Sequence, residues 1–163
     1  MRKIKKIVVH CSASPDTMDI GVKEIREWHK QRGFNDVGYH WVIRRDGKCE
    51  QGRPESQIGA HVKGHNRDSV GIVWVGIDEI TEEQKKTLDR ILRGLMKNYD
   101  LSVDDVVGHY ELYSGKTCPN LDMAELRKSL RTEEYLPDGP SDDEIEISLI
   151  DIENQVFSGD DED

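Results

Sequence analysis

Leu88, Ile91, Leu92, Leu95, Met96 and Tyr99 recur at three- and four-residue spacing, so the segment 81–99 reads as a helix with one apolar face. Thr81 and Gln84 supply a capping-box pair at its start. A helix apolar on one side only must lie on another apolar surface, and short β-branched runs elsewhere in the chain provide one. Residues 3–9, 39–44, 69–75 and 106–109 read as strands. Arg45-Asp46-Gly47-Lys48 reads as a hairpin turn, with Asp-Gly taking the positive φ angles such turns use, and residues 49–52 return as the partner strand. Val22, Ile25, Trp28 and His29 fall at helical spacing with Gly33 as a stop, and a short helix over 123–130 closes the body. Strands and helices alternate, but the hairpin makes one pairing antiparallel. The expected fold is α/β, a single domain with a central mixed sheet flanked by helices.

The formal charge of −10 is unevenly placed. Of 33 acidic residues 13 lie at 132–163, which holds none of the 23 basic ones, so residues 1–131 carry 20 acidic against 23 basic, a net of +3. The expected division is a folded body at 1–131 and an acidic tail at 132–163, which begins near Thr132 and carries the breaker Pro137-Asp138-Gly139-Pro140. Low hydrophobicity makes that tail a solvated extension, while Ile145, Ile147 and Leu149 alternate as a strand offered to a protein partner would. A body charge of +3 is too weak for nucleic-acid binding, and it suits a loosely anionic polymer. No apolar run reaches the ~20 residues of a membrane span. Only Ile7-Val8-Val9 follows the basic opening residues, too short for an export signal, so synthesis in the cytoplasm is expected. Three cysteines, an odd number, argue against a disulfide framework.

Catalytic groups gather at strand ends and in the loops beyond them. His10, His40 and His109 each stand at such an end, and Cys118 lies nine positions beyond His109. Histidines and a cysteine brought together from separate strands suit a zinc site with three protein ligands. Each also has a plainer role, as a hydrogen-bonded histidine or a small buried hydrophobe. His29, beside Trp28 on a helix, reads as structural; His61 and His65 share a polar loop. Spacing alone does not choose among His10, His40, His61 and His109.

Several blocks occur in a telling order. They are Val9-His10-Cys11-Ser12-Ala13, Asp36-Val37-Gly38-Tyr39-His40, Gly59-Ala60-His61 with Gly64-His65-Asn66, Ser69-Val70-Gly71-Ile72, Gly108-His109 and Lys116-Thr117-Cys118-Pro119. Over roughly residues 4–130 the chain resembles the zinc amidases of the bacteriophage-lysozyme type. These are N-acetylmuramoyl-L-alanine amidases related to the peptidoglycan recognition proteins. The resemblance implies one Zn2+ per chain held by His10, His109 and Cys118, with Tyr39 and Lys116 catalytic and His61 and Asn66 lining the substrate groove. The interval from His109 to Cys118 is one residue longer than the commoner spacing, and Gly115 is placed to absorb it. The implied activity is hydrolysis of the amide between N-acetylmuramic acid and L-alanine in peptidoglycan. Its implied setting is a phage or prophage endolysin that reaches the wall after release by another protein. The alternative is a relative that binds peptidoglycan without cutting it, or one that binds and regulates an RNA polymerase; the presence of Cys118 counts against the first of these.

Overall fold

The computed structural model describes residues 2–132; the expected acidic tail, apart from Thr132, lies outside the described residues. Five strands, β1 (Lys6–Cys11), β2 (Trp41–Ile43), β3 (Cys49–Gln51), β4 (Ser69–Trp74) and β5 (Val106–Gly108), form one sheet in the order β3-β2-β4-β1-β5. Only the β2–β3 hairpin is antiparallel; β2–β4, β4–β1 and β1–β5 are parallel. The mixed sheet of the expected fold is thus present.

The side-chain alternation of a strand sorts residues between two layers. Ile7, Val9 and Cys11 of β1, Trp41 and Ile43 of β2, and Val70, Ile72 and Trp74 of β4 face one way. They meet Leu88, Ile91, Leu92 and Leu95 of α2 (Glu82–Tyr99), with Met123 and Leu130 of α4 (Met123–Arg131) in the same cluster. Val42 and Val73 face the other way and pack with Val22 and Ile25 of α1 (Val22–Gln31). His10 pairs in register with Val73 and, by the same alternation, belongs to the α1 side.

Helix ends follow the expected chemistry. Thr81 Oγ1 accepts from the Gln84 N–H, and the Gln84 side chain accepts from the Thr81 N–H, both at 3.0 Å. Helix α1 ends as a Schellman turn: Gly33 takes φ 96°, and the Phe34 N–H reaches the His29 carbonyl at 3.0 Å. The hairpin differs in detail from the expectation. Only Gly47 has positive φ, at 90°, and its N–H donates to the Arg44 carbonyl while Arg44 N–H bonds Lys48. That is the three-residue loop with a glycine bulge, which asks nothing unusual of Asp46.

Strand β1 runs two residues past the expected stop at Val9. It is flanked by both β4 and β5, and its pairing with β4 continues through His10 and Cys11 to Trp74. Among the described residues no helix is long and apolar enough to cross a membrane.

Candidate metal and catalytic site

Strand β1 delivers His10, 1% exposed, onto the α1 side of the sheet. Strand β5 ends at Gly108, and His109 opens the single helical turn α3 (His109–Leu112). That turn is anchored: the Gly108 N–H donates to Glu111 Oε1 at 2.8 Å, and Arg127 grips both Glu111 oxygens at 2.8 and 2.9 Å. The two histidine rings lie 4.6 Å apart, edge to face.

Cys118 arrives on a loop held at several points. Its carbonyl accepts from Tyr110 N–H at 2.9 Å, the Pro119 carbonyl from the Trp74 indole at 3.0 Å, and Asn120 Nδ2 donates to the Ile77 carbonyl at 2.7 Å. Gly115 takes φ 89° with open space around it, so the longer His109–Cys118 interval turns there. The Cys11 N–H donates to Cys118 Sγ at 3.1 Å. Contact with the Cys11 thiol and burial push the Cys118 pKa up. A bound dication reverses that preference, because metal binding displaces the thiol proton.

The donor atoms of His10, His109 and Cys118 lie within 4.8 Å of one another. Two imidazoles and a thiolate match zinc in hardness, and bonds of about 2.0–2.3 Å in a tetrahedron need ligand atoms nearly that close. Burial, and next the neighbouring His109, hold the His10 pKa well below its ordinary value; burial followed by the Lys116 charge lowers that of His109. Both shifts favour the neutral ring, the form a metal requires. The residues fit zinc.

All seven residues singled out from the sequence line one cavity of about 690 Å³. Tyr39, just before β2, sets its ring 5.1 Å from His10 and 5.4 Å from His29. Its pKa is raised by burial and then by the charge of Cys118 and Cys11. Lys116 is exposed on the rim. His61 lies against His10, with its Nδ1 2.8 Å from His10 Nε2. Asn66 is buried, and its Oδ1 accepts from the backbone N–H of both His61 and Val62 at 2.9 Å. It thus holds the wall that carries His61.

The four histidines left open by spacing now separate. His10 and His109 join Cys118, while His40 is engaged elsewhere. His40 Nδ1 accepts from Gly71 N–H at 3.0 Å, and its Nε2 lies 2.8 Å from the Gln57 carbonyl and 3.2 Å from Arg2. His29 accepts from Gly38 N–H at 2.8 Å, as a structural histidine should, and also lines the cavity. Sequence reading missed Arg2, which binds the carbonyls of Glu55, Asn66, Arg67 and Ser69 and so ties down both ends of the segment bearing His61. It also missed Gly71 as a packing device. A Cβ there would come within 2.6–2.8 Å of the His61 ring. An isolated glycine inside a strand was the available signal. For Arg2, half-buried among carbonyls 53 to 67 residues away, the sequence offered none.

Residues 1–121 match the N-acetylmuramoyl-L-alanine amidase family, Amidase_2. This chain belongs to that family. The amidase chain is 42% identical over 136 residues to an endolysin of Enterobacteria phage K11, covering 78% of this chain and 88% of that one. It is 43% identical over 130 residues to an endolysin of Klebsiella phage KP32, covering 75% and 84%. Among solved structures it superposes on the N-acetylmuramoyl-L-alanine amidase LysC from Clostridium intestinale URNW with TM-score 0.73, at 31% identity over 81% of this chain and 88% of that one. The family and fold implied by the sequence resemblance are borne out.

Proposed function

We propose that the protein is a zinc-dependent N-acetylmuramoyl-L-alanine amidase acting as an endolysin on peptidoglycan. The observation that carries this reading is the convergence of His10, His109 and Cys118 donor atoms within 4.8 Å in a chain of the amidase family. The reaction adds water across the amide between the lactyl carboxyl of N-acetylmuramic acid and the amine of L-alanine, leaving a carboxylate and a new amino terminus. Zinc held by the three ligands supplies Lewis acidity to the site when bound.

The chain's own groups do the rest. Attack on the carbonyl builds negative charge on an oxygen, and Lys116 on the rim offers a fixed cation to it. Tyr39, with its raised pKa, keeps its proton at neutral pH and serves as a hydrogen-bond donor toward the substrate or the departing amine. His61 and Asn66 line the groove that receives the glycopeptide. Arg32, Lys63 and Lys116 line the same cavity, and no carboxylate does among the described residues, which suits an anionic polymer.

The test is the purified full chain with one equivalent of zinc on isolated cell walls. Release of new L-alanine amino termini, abolished by chelation and restored by zinc, is the expected result. His10→Ala, His109→Ala and Cys118→Ala should each lose both stoichiometric zinc and nearly all turnover, whereas His40→Ala keeps its zinc. Stoichiometric zinc retained by Cys118→Ala overturns the ligand set. Tight wall binding with no new amino termini overturns the enzyme.

A further inference from the structure

We propose that His61 is a positioning residue which, backed by Ser69, fixes the tautomer of His10 and thereby selects His10 Nδ1 as the metal-binding nitrogen. The inference rests on reading His10, His109 and Cys118 as the zinc ligands, and it assigns work to two residues outside that set.

The argument is a count of protons along three consecutive contacts. Ser69 is fully buried, and its single hydroxyl proton has two neighbours, the His65 carbonyl at 2.7 Å and His61 Nε2 at 3.2 Å. A carbonyl oxygen can only accept, and it is the nearer of the two, so the hydroxyl donates there. Toward His61 the Ser69 oxygen must then accept, which places the His61 proton on Nε2. His61 Nδ1 is left with a bare lone pair facing His10 Nε2 at 2.8 Å. Two ring nitrogens at that separation share one proton, and here only His10 can supply it. His10 therefore carries its hydrogen on Nε2, and Nδ1 is the nitrogen whose lone pair remains for a metal.

The reverse order has two costs. If Ser69 donated to His61, the His65 carbonyl would lose its hydroxyl partner. The His61 proton would move to Nδ1 and point at His10 Nε2, so His10 would hold its own proton on Nδ1. That tautomer offers no free donor to the site. His10 and His61 are both buried and meet through one nitrogen each, so a single proton lies between them and the order matters.

The arrangement is built, not incidental. Asn66 Oδ1 fixes the backbone at His61 and Val62, and Gly71 gives up its side chain so that the His61 ring can lie against the sheet. The His10 and His61 ring centroids lie 4.9 Å apart, close to the separation of two imidazoles that meet through one nitrogen each. Hydrogen-bond partners behind a ligating histidine raise its basicity and hold its plane, and their loss typically weakens metal binding about 10–100-fold.

The experiment measures zinc affinity of the full chain by competition with a chelator, together with ¹⁵N spectra of the imidazole rings. His61→Leu, which has no acceptor, should bind zinc about 10–100-fold more weakly. His61→Gln, whose amide oxygen can accept from His10 Nε2, should recover most of that loss, and Ser69→Ala should fall between. Wild-type spectra should place the His10 and His61 protons on Nε2, with or without zinc. A His10 proton on Nδ1, or a folded His61→Leu with wild-type zinc affinity, overturns the proposal. Failure of the wild type to bind zinc would instead strike the ligand set, and the zinc-free spectra would still decide the proton order.

Discussion

In the proposed mechanism the Tyr39 hydroxyl serves only while it holds its proton, and burial, followed by the neighbouring Cys118 and Cys11, raises its pKa in that direction. Tyr39→Phe removes that hydroxyl and little volume, so zinc content and wall affinity should hold while turnover drops. Lys116→Ala should lower turnover about 10²–10³-fold, the usual loss on removing one group that stabilises a developing oxyanion. Unchanged turnover in both variants would leave the zinc site standing without its catalytic partners. A second consequence at this scale concerns acid. Burial holds the His40 pKa down to about 3 and that of His29 to about 4, against 6.5 in an unfolded chain. Between those values the unfolded state takes up the proton and the folded state does not, so stability is full above pH 6.5 and is lost as pH falls toward the folded values. Each histidine contributes about 1.4 kcal/mol per pH unit in that window. The denaturant midpoint of the zinc-free protein should fall steeply from pH 6 to 4, and a flat profile there would show that these rings are charged when folded. Among individual residues, His10, His109 and Cys118 were legible because their chemistry is unusual and their sequence blocks carry a resemblance. His61 was legible as a groove residue but not as a neighbour of His10. That contact depends on how a loop between β3 and β4 folds back onto Gly71, and no local pattern encodes it.

Elements place these residues by their ends. Strand β1 carries His10, β5 hands the chain to His109, and the loop after α3 is pinned to Trp74 and Ile77 so that Cys118 returns to β1. The three longer helices were readable almost to the residue, because capping and apolar spacing are local properties of the chain, whereas the single turn α3 fell partly in the expected strand 106–109 and was not read. Strand limits were less so, since β1 takes its length from the neighbours it pairs with. One helix end was read from its last apolar residue, but not its cap. Helix α2 stops at Asp100, which takes the left-handed conformation at φ 54° while Leu101 N–H bonds the Met96 carbonyl at 2.8 Å. Glycine is the usual residue there, and a carboxylate at a helix C-terminus also opposes the helix dipole. Asp100→Gly removes both penalties without touching the cavity. It should stabilise the protein by about 0.5–1 kcal/mol in a denaturant titration and leave turnover alone. A loss of stability would mean that the aspartate side chain supports the turn.

At the scale of the whole molecule, charge is divided between a cationic cleft and an acidic C-terminal stretch. Arg32, Lys63 and Lys116 line the cavity, while residues 133–163 hold 13 carboxylates and no Lys or Arg. The described body closes with Arg93 donating to the carbonyls of Ser129 at 3.1 Å and Thr132 at 3.0 Å. All three proposed ligands and both catalytic candidates lie before that clamp. A chain ending at Thr132 should therefore fold, bind zinc and cut peptidoglycan. What should change is its response to salt. A tethered anionic segment competes with an anionic wall polymer for the same cations, and that competition is purely coulombic. Its range shrinks from about 10 Å at 0.1 M salt to about 3 Å at 1 M. The shortened protein should thus be more active than the full chain at low salt, with the two rates converging toward about 1 M. Equal rates at every salt concentration would remove the shielding role and leave the acidic stretch to a separate partner. Unfolding or loss of zinc on truncation would place residues beyond Thr132 inside the domain, and the division of the chain at 131 and 132 would be wrong.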